Sequence, residues 1–317
     1  MKRSLSIFLL LSSTIILFSF IDKKKKQEPN KAGIRTIIID AGHGGIDQGA
    51  KGAISTEADV ALAVSMKLGQ AIQREFPDIK VVYTRTTDVM PGGGSRDEGL
   101  RYRADLANKS GGDLFIALHC NAAPPIRHSE FTGYKMATVY VGRGKKRHKV
   151  TRKTKTYRYW YTPNPANGTE TYVWAVSKHG AKVNSISQNN DYYGEIDSTS
   201  TITIPDPDDP VEKIRMLVYE QNYFRKSLVL ADLVEQGFRS QGRTYRGGVK
   251  QRNDKGIWVL QATGMPSVLV EMGFITDRDE EQYLNSDKGQ DEISSNILEA
   301  IKAYKQKVES KTVGSPG

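Results

Sequence analysis

Three uninterrupted apolar runs, at residues 36–40 (TIIID), 114–118 (LFIAL) and 267–271 (SVLVE), constrain this chain more than any other feature. A strand with one wet face alternates apolar and polar residues, and these runs do not. They read as strands buried on both faces, the signature of a largely parallel sheet covered by helices. The intervening segments fit that reading. Residues 57–76 carry apolar side chains at helical spacing, and Thr56 with Asp59 forms a plausible capping pair ahead of them. Residues 80–84 are rich in β-branched side chains and read as a strand, residues 100–108 as a short helix and residues 257–261 as a further strand. Long helices are expected over 211–236 and 292–307. The fold class is therefore α/β, a mostly parallel sheet with helices on both faces, in a single domain over residues 34–308.

The alternation breaks after Gly133. A strand is expected over 134–141, followed by a dense basic run around Lys145, Lys146, Arg147, Lys149, Arg152 and Lys153, then a polar stretch ending in Pro205, Pro207 and Pro210. Residues 142–210 thus read as one long insertion, far longer than a plain connection. Residues 309–317 read as a disordered tail.

The N-terminus sets the compartment. Met1, Lys2 and Arg3 precede an almost uncharged apolar stretch to Ile21, the pattern of a secretory leader over residues 1–22. Lys23 to Lys26 open a polar linker over 23–33, and they would equally suit an uncleaved anchor. Export to the periplasm or cell envelope is expected, with any membrane contact made through an uncleaved leader. One cysteine, Cys120, excludes an internal disulfide, so the core must stand on its own packing. The formal net charge of +10 suits a polyanionic wall surface or lipid headgroups. No nucleic-acid-binding motif accompanies it, and a nucleic-acid partner is not expected.

Four residues stand at the carboxyl ends of strands or at a helix start. His43 follows the first run within DAGHGG, Glu57 opens the helix in STEADVALAV, His119 ends DLFIALH, and Glu271 ends PSVLVE. Two imidazoles and a carboxylate form a ligand set typical of a zinc site with one open position, and Glu271 is placed to act as general base. Each residue alone has a plainer reading. His43 in a glycine-rich turn would suit a phosphate cradle or a structural histidine, although no GKS or GxGxxG pattern accompanies it. Glu57 would suit a helix-dipole partner, but it shares the apolar row of Ala61, Val64, Leu68 and Ile72, where an acid must be paired, protonated or metal-bound. His119 would suit a backbone-bonded core histidine. Ligands of open α/β sheets collect outside the carboxyl ends of the strands, and it is the convergence of separate segments on that edge that favours a metal centre.

The strings DAGHGGIDQGAKG, STEADVALAV, VVYTR, RYRADLANKSGGDLFIALHCNA and MPSVLVEMGFITDRDEEQYL resemble, in order, the zinc-dependent N-acetylmuramoyl-L-alanine amidases of bacterial cell division. The resemblance covers most of residues 34–307. It implies that His43, Glu57 and His119 bind Zn2+, that Glu271 is the catalytic glutamate, and that Arg103 and Asn108, in an R-x-x-x-A-N pattern, support the site. DAGHGG stands where DPGHGG is commoner, and Cys120 where alanine is usual. Neither change removes a ligand, and Cys120 reads as a small packed residue. The implied activity is hydrolysis of the amide between N-acetylmuramic acid and L-alanine in peptidoglycan, for wall remodelling or daughter-cell separation. The implied partner is a periplasmic activator of the LytM type. Residues 178–210 resemble the family's autoinhibitory stretch, but its usual Glu-Asn pair appears as Gln188-Asn189, leaving Glu195 as the acid available by type. Two other readings stay open at this level: a zinc peptidase acting on the stem peptide, and a wall-binding scaffold without catalysis.

Overall fold

The computed structural model describes residues 33–175, 210–253 and 256–313. The leader, almost all of the linker and nearly all of the 178–210 segment, with Gln188, Asn189 and Glu195, lie outside the described residues. Six strands make the main sheet: β1 (Thr36–Ala41), β2 (Lys80–Tyr83), β3 (Leu114–Asn121), β6 (Glu170–Val173), β7 (Lys250–Gln251) and β8 (Ser267–Phe274). Their order is β2-β1-β3-β8-β6-β7. β2, β1, β3 and β8 run parallel, and β6 joins antiparallel to β8. Every residue of β1 and of β8 is buried, as the uninterrupted apolar runs require.

Helices cover both faces, and strand alternation divides the core accordingly. Ile37, Ile39, Leu114, Ile116 and Val268 point to one side, where α1 (Glu57–Glu75), α3 (Pro210–Ser240) and α6 (Asp287–Val313) supply Val64, Leu68, Val234, Ile297 and Ile301. Ile38, Phe115, Ala117 and Leu269 point to the other, against α2 (Arg96–Lys109) and α4 (Trp258–Ala262). At roughly 25 cal/mol per Å² of apolar surface removed from water, this two-sided burial is the main stabilising term. α1 begins as its sequence dictates: Thr56 caps Asp59 N–H, and the Asp59 carboxylate accepts from the Thr56 backbone N–H at 3.1 Å. A short helix α5 (Arg278–Asn285) follows β8, and its Glu281 accepts hydrogen bonds from the backbone of Ala53, Ile54 and Ser55 at 2.8–3.0 Å. That carboxylate fixes the loop leading into α1.

Four expectations are corrected. Residues 257–261 form not a strand but most of a buried helical turn, α4. Five apolar residues fit either form, and here Val259, Leu260 and Ala262 pack against the sheet from outside it. The expected strand over 134–141 begins earlier: β4 (Ile126–Val141) pairs antiparallel with β5 (His148–Thr162), forming a separate two-stranded sheet. Residues 142–210 are consequently not one excursion, because β6 returns to the main sheet at Glu170 between the hairpin and α3. The closing helix α6 continues to Val313, so the chain is still helical in the first part of the expected tail.

Candidate metal centre

The carboxyl ends of β1 and β3 and the amino end of α1 meet at one point. His43 sits just beyond β1 with φ of +57°, the only non-glycine in the left-handed region among the described residues. This uncommon conformation turns the imidazole toward the sheet edge. Neighbouring glycines leave room for the rings. A Cβ at Gly42 would lie 2.5 Å from the His119 ring, and one at Gly49 would lie 2.5 Å from Glu57 Oε2. A register shift in the β3–β8 pairing follows His119, so the strand departs from regularity where its last side chains meet the cleft.

Glu57 Oε1 lies 3.1 Å from His43 Nε2 and 2.8 Å from His119 Nδ1, and the two rings stand 5.0 Å apart edge-to-face. One ligand atom from each residue falls within 4.8 Å of the others, forming a group that could hold a metal ion. The backbone orients the carboxylate further: Ala50 N–H donates to Oε2 at 2.8 Å and Cys120 N–H to Oε1 at 3.1 Å. Burial acts to raise the Glu57 carboxyl, but the hydrogen bonds and charges of His119 and His43 prevail and hold it well below the usual carboxylate range. For His43, burial opposes the protonated form, while Glu57 and Asp47 together raise its pKa above the ordinary value. Two imidazole nitrogens facing one buried carboxylate oxygen are a donor set suited to a divalent cation.

A supporting shell surrounds the triad. Asp47 Oδ2 lies 2.9 Å from His43 Nδ1, the ring atom turned away from Glu57, and Arg96 holds Asp47 Oδ1 at 2.6 Å. A carboxylate behind a metal-binding histidine fixes its tautomer and raises its basicity. Arg103 pairs with buried Asp40 and donates to the His43 carbonyl, while Arg85 donates to the carbonyls of Ala41, Gly42 and Ala58 at 2.7–3.0 Å. These two arginines brace the His43 turn from below. Asn108 acts farther off: it bonds Ala262 O at 3.0 Å and accepts from Gly264 N–H at 2.7 Å, fixing the loop that enters β8. Cys120 packs into the core beneath α1, and burial pushes its thiol well above the ordinary value.

Glu271 lies on β8, in register with His119 on one side and Glu170 on the other. Arg252 donates to its Oε1 at 2.9 Å, and Oε2 is buried without a hydrogen-bond partner. Burial pushes this carboxyl up, His119 and Arg252 draw it back, and the nearby charges of Glu57 and Glu170 add to the rise. A buried carboxylate oxygen left unsatisfied in a cleft is a group poised to accept a proton. Glu170 is itself saturated by Asn121 at 3.0 Å, Tyr172 at 2.9 Å and Arg246 at 3.0 Å. The cleft encloses roughly 450 Å³ and is bordered by His43, Glu57, His119, Glu271, Arg252 and Trp258.

The four residues singled out in the sequence therefore meet in one cleft, the three donors as a triad and Glu271 beside His119 on the neighbouring strand. Sequence reasoning missed Asp47, Arg96, Arg85, Glu170 and Arg252. Asp47 had one available signal, its place four residues after His43 in the same glycine-rich turn. Arg252 had none, since it follows a strand of only two residues, too short to carry a periodicity.

A mostly parallel sheet that gathers a His-Glu-His cluster and a buried glutamate at its carboxyl edge provides donors that could hold a metal ion beside a buried acid. The N-acetylmuramoyl-L-alanine amidase family model, Amidase_3, matches residues 37–303, and the chain belongs to that family. It is 27% identical over 286 residues to N-acetylmuramoyl-L-alanine amidase AmiC of Escherichia coli O6:H1, an alignment covering 87% of this chain and 55% of AmiC. The germination-specific N-acetylmuramoyl-L-alanine amidase of Bacillus subtilis is 23% identical over 275 residues, covering 85% of this chain and 79% of that protein. The chain thus spans about half the length of AmiC. Among solved structures, an N-acetylmuramoyl-L-alanine amidase of Clostridium difficile 630 superposes with a TM-score of 0.51 at 24% identity, covering 86% of this chain and 97% of that one. The CwlD amidase of Clostridioides difficile, solved in complex with the GerS lipoprotein, gives a TM-score of 0.51 at 21% identity over 85% of this chain and 98% of CwlD. Both share the fold. No helix among the described residues is long and apolar enough to cross a membrane.

Proposed function

We propose that this protein is an exported zinc amidase that hydrolyses the bond between the lactyl group of N-acetylmuramic acid and L-alanine in peptidoglycan. The observation that carries the reading is the meeting, in one cleft, of a convergent His43–Glu57–His119 donor triad and a Glu271 oxygen that is buried and unsatisfied. His43, Glu57 and His119 would hold the zinc ion, which when bound would supply Lewis acidity toward the scissile carbonyl and the attacking water. The chain's own residues do the rest. Glu271 accepts the proton of the attacking water and returns it to the leaving L-alanine amine, so acid and base work pass through one carboxylate. Its raised pKa brings the group closer to the working pH than an ordinary glutamate, which suits both transfers. Arg252 holds the other Glu271 oxygen and so restrains the carboxylate's rotation. Asp47 places a carboxylate 2.9 Å behind His43 Nδ1, a charge that supports the imidazole whose Nε2 faces Glu57.

A zinc peptidase cutting within the stem peptide would use the same atoms. Membership of the amidase family favours the muramoyl amide over it, and a complete set of donors with Glu271 favours an enzyme over a silent scaffold. Peptidoglycan is the polymer this reading requires. A role in daughter-cell separation, a periplasmic location and a LytM-type activator acting on the 178–210 segment remain part of the proposal, carried by the leader and by the resemblance of that segment. The test is digestion of purified peptidoglycan, read by mass spectrometry with and without chelator. Chelator-sensitive release of intact peptides beginning at L-alanine is expected. Fragments cut inside the stem peptide would instead establish the peptidase.

A further inference from the structure

The hairpin of β4 and β5 is unlike the rest of the molecule. Its strands run 16 and 15 residues and pair only with each other, so the arm is about 50 Å long at a strand rise of ~3.3 Å per residue. No residue of either strand is buried. Between Ile126 and Thr162 there are eleven lysines and arginines and a single acid, Glu130. The excess of +10 equals the formal charge of the whole chain, so all remaining residues together balance to zero.

The register sorts these residues onto two faces, because cross-strand partners share a face and successive residues alternate. One face collects Phe131, Tyr134, Tyr140, Tyr157, Tyr159 and Tyr161, all exposed, with Arg127, Lys149, Lys153 and Lys155 between them. It contains no acid. Cations and rings interleave along it: Arg127 lies over Tyr159 at 3.9 Å, Lys153 over Tyr134 at 4.4 Å and Lys149 over Tyr140 at 5.7 Å. The opposite face carries the arm's only ion pair among the described residues, Arg158 with Glu130 at 2.5 Å. Six exposed aromatic rings in a row gain nothing by folding onto a core, and a row of this kind marks a binding surface.

We propose that this aromatic and cationic face binds a carboxylate-bearing glycan strand lengthwise and leads it to the metal centre, an inference that rests on the peptidoglycan reading above. Polarised C–H groups on a sugar ring meet the negative face of an aromatic ring, and lysines between the rings meet the carboxylates of the attached peptides. The arm is rooted where such a strand must arrive. Ile126 follows His119 by seven residues, at most about 25 Å of chain, and Thr162 precedes Glu170, the register partner of Glu271, by eight. An anionic membrane fits less well. A two-stranded ribbon twists strongly, and the irregularity between Phe131 and Gly133 adds to the twist, so the face cannot lie flat on a plane along its length. A linear polymer can follow it. The tip, with Arg143, Lys145, Lys146 and Arg147, offers no apolar anchor for acyl chains.

The test uses the full chain carrying Glu271→Gln, so that sacculi stay intact, in a co-sedimentation assay with purified sacculi and with phosphatidylglycerol vesicles. Lys149→Gln/Lys153→Gln/Lys155→Gln removes three charges from the aromatic face, and Lys135→Gln/Arg152→Gln/Arg158→Gln removes three from the other. The first is expected to weaken sacculus binding about tenfold or more and the second less than about threefold. Tyr134→Leu/Tyr159→Leu, which keeps charge and apolar bulk, is expected to weaken sacculus binding by about tenfold while leaving vesicle binding unchanged. Equal losses from both charge variants would reduce the effect to net charge and overturn the proposal. So would unchanged sacculus binding, or losses confined to vesicles. Failure of the enzymatic reading shows separately, as inability of the otherwise unaltered enzyme to cleave a soluble N-acetylmuramoyl peptide too short to reach the arm.

Discussion

The main sheet and the hairpin arm are both β structure, yet they obey opposite rules. In the sheet every residue of β1 and β8 is buried, and polar groups there are few and nearly all engaged. In the arm no residue of either strand is buried, and all but one of its charged side chains are cationic. The sheet gains its stability from two apolar faces, and its carboxyl edge together with the start of α1 brings four side chains into one cleft. The arm has ladder hydrogen bonds and cross-strand pairs but no core, so its composition is free to answer to whatever it touches. Folding information and contact information are thereby separated along the chain, with the change of rule falling between Asn121 and Ile126.

The comparison predicts that substitutions on the sheet edge and in its core are costly, while those on the arm leave fold and small-substrate chemistry intact. The largest effect is expected at the triad. His43→Ala, Glu57→Ala and His119→Ala should each lower zinc occupancy, measured by atomic emission on purified protein, and bring turnover to background, since a site with three protein ligands has no redundancy. A variant that binds zinc as tightly as the unaltered protein would remove that residue from the ligand set. Glu271→Gln should keep its zinc and lose roughly a hundredfold to ten-thousandfold in turnover. Near-normal digestion would exclude Glu271 as the proton carrier.

Smaller effects probe stability. Leu68→Ala, in the fully buried row that continues from Glu57, should cost about 2–5 kcal/mol in urea unfolding. Glu281→Gln removes an ionised acceptor of three backbone N–H groups and should cost about 1.5–3 kcal/mol at neutral pH. Burial works against the Glu281 charge, but the donors at Ile54, Ala53 and Ser55 prevail and depress the folded pKa. The stabilisation is therefore complete above the unfolded value of about 4.3 and is lost as pH falls through the folded pKa. The difference in melting temperature between Glu281→Gln and the unaltered protein should accordingly shrink on acidification below that value; a constant difference would contradict the assignment. Smallest of all, replacing residues 126–162 with a short turn should leave the melting temperature of the remainder within a few degrees, a shift of less than about 1 kcal/mol for a domain this size. A large drop would mean that the arm helps to fold the core.

What the sequence revealed follows the same division. β1, β3 and β8 were legible because burial on both faces forbids polar interruptions, and α1 because Thr56 and Asp59 announce its start. His43, Glu57, His119 and Glu271 were legible because each ends or begins one of those elements. The strand expected at residues 257–261 failed because five apolar residues carry no period long enough to tell a strand from a helical turn. β4 was recognised only over its apolar part, since a hairpin exposed on both faces lacks the alternation by which strands are found. β6 went unread between the arm and the polar stretch, being four residues long. Arg252 reaches the cleft, and Glu170 comes beside Glu271, only through β7 and antiparallel β6, pairings that no local pattern encodes.

The most direct test of the whole account is digestion of a soluble N-acetylmuramoyl-tripeptide by the full-length protein, followed by mass spectrometry, in zinc-loaded, chelated and Glu271→Gln forms. The account predicts free N-acetylmuramic acid and an intact tripeptide from the zinc-loaded enzyme, and neither product from the other two. Cleavage that persists after chelation, or products cut within the tripeptide, would contradict it.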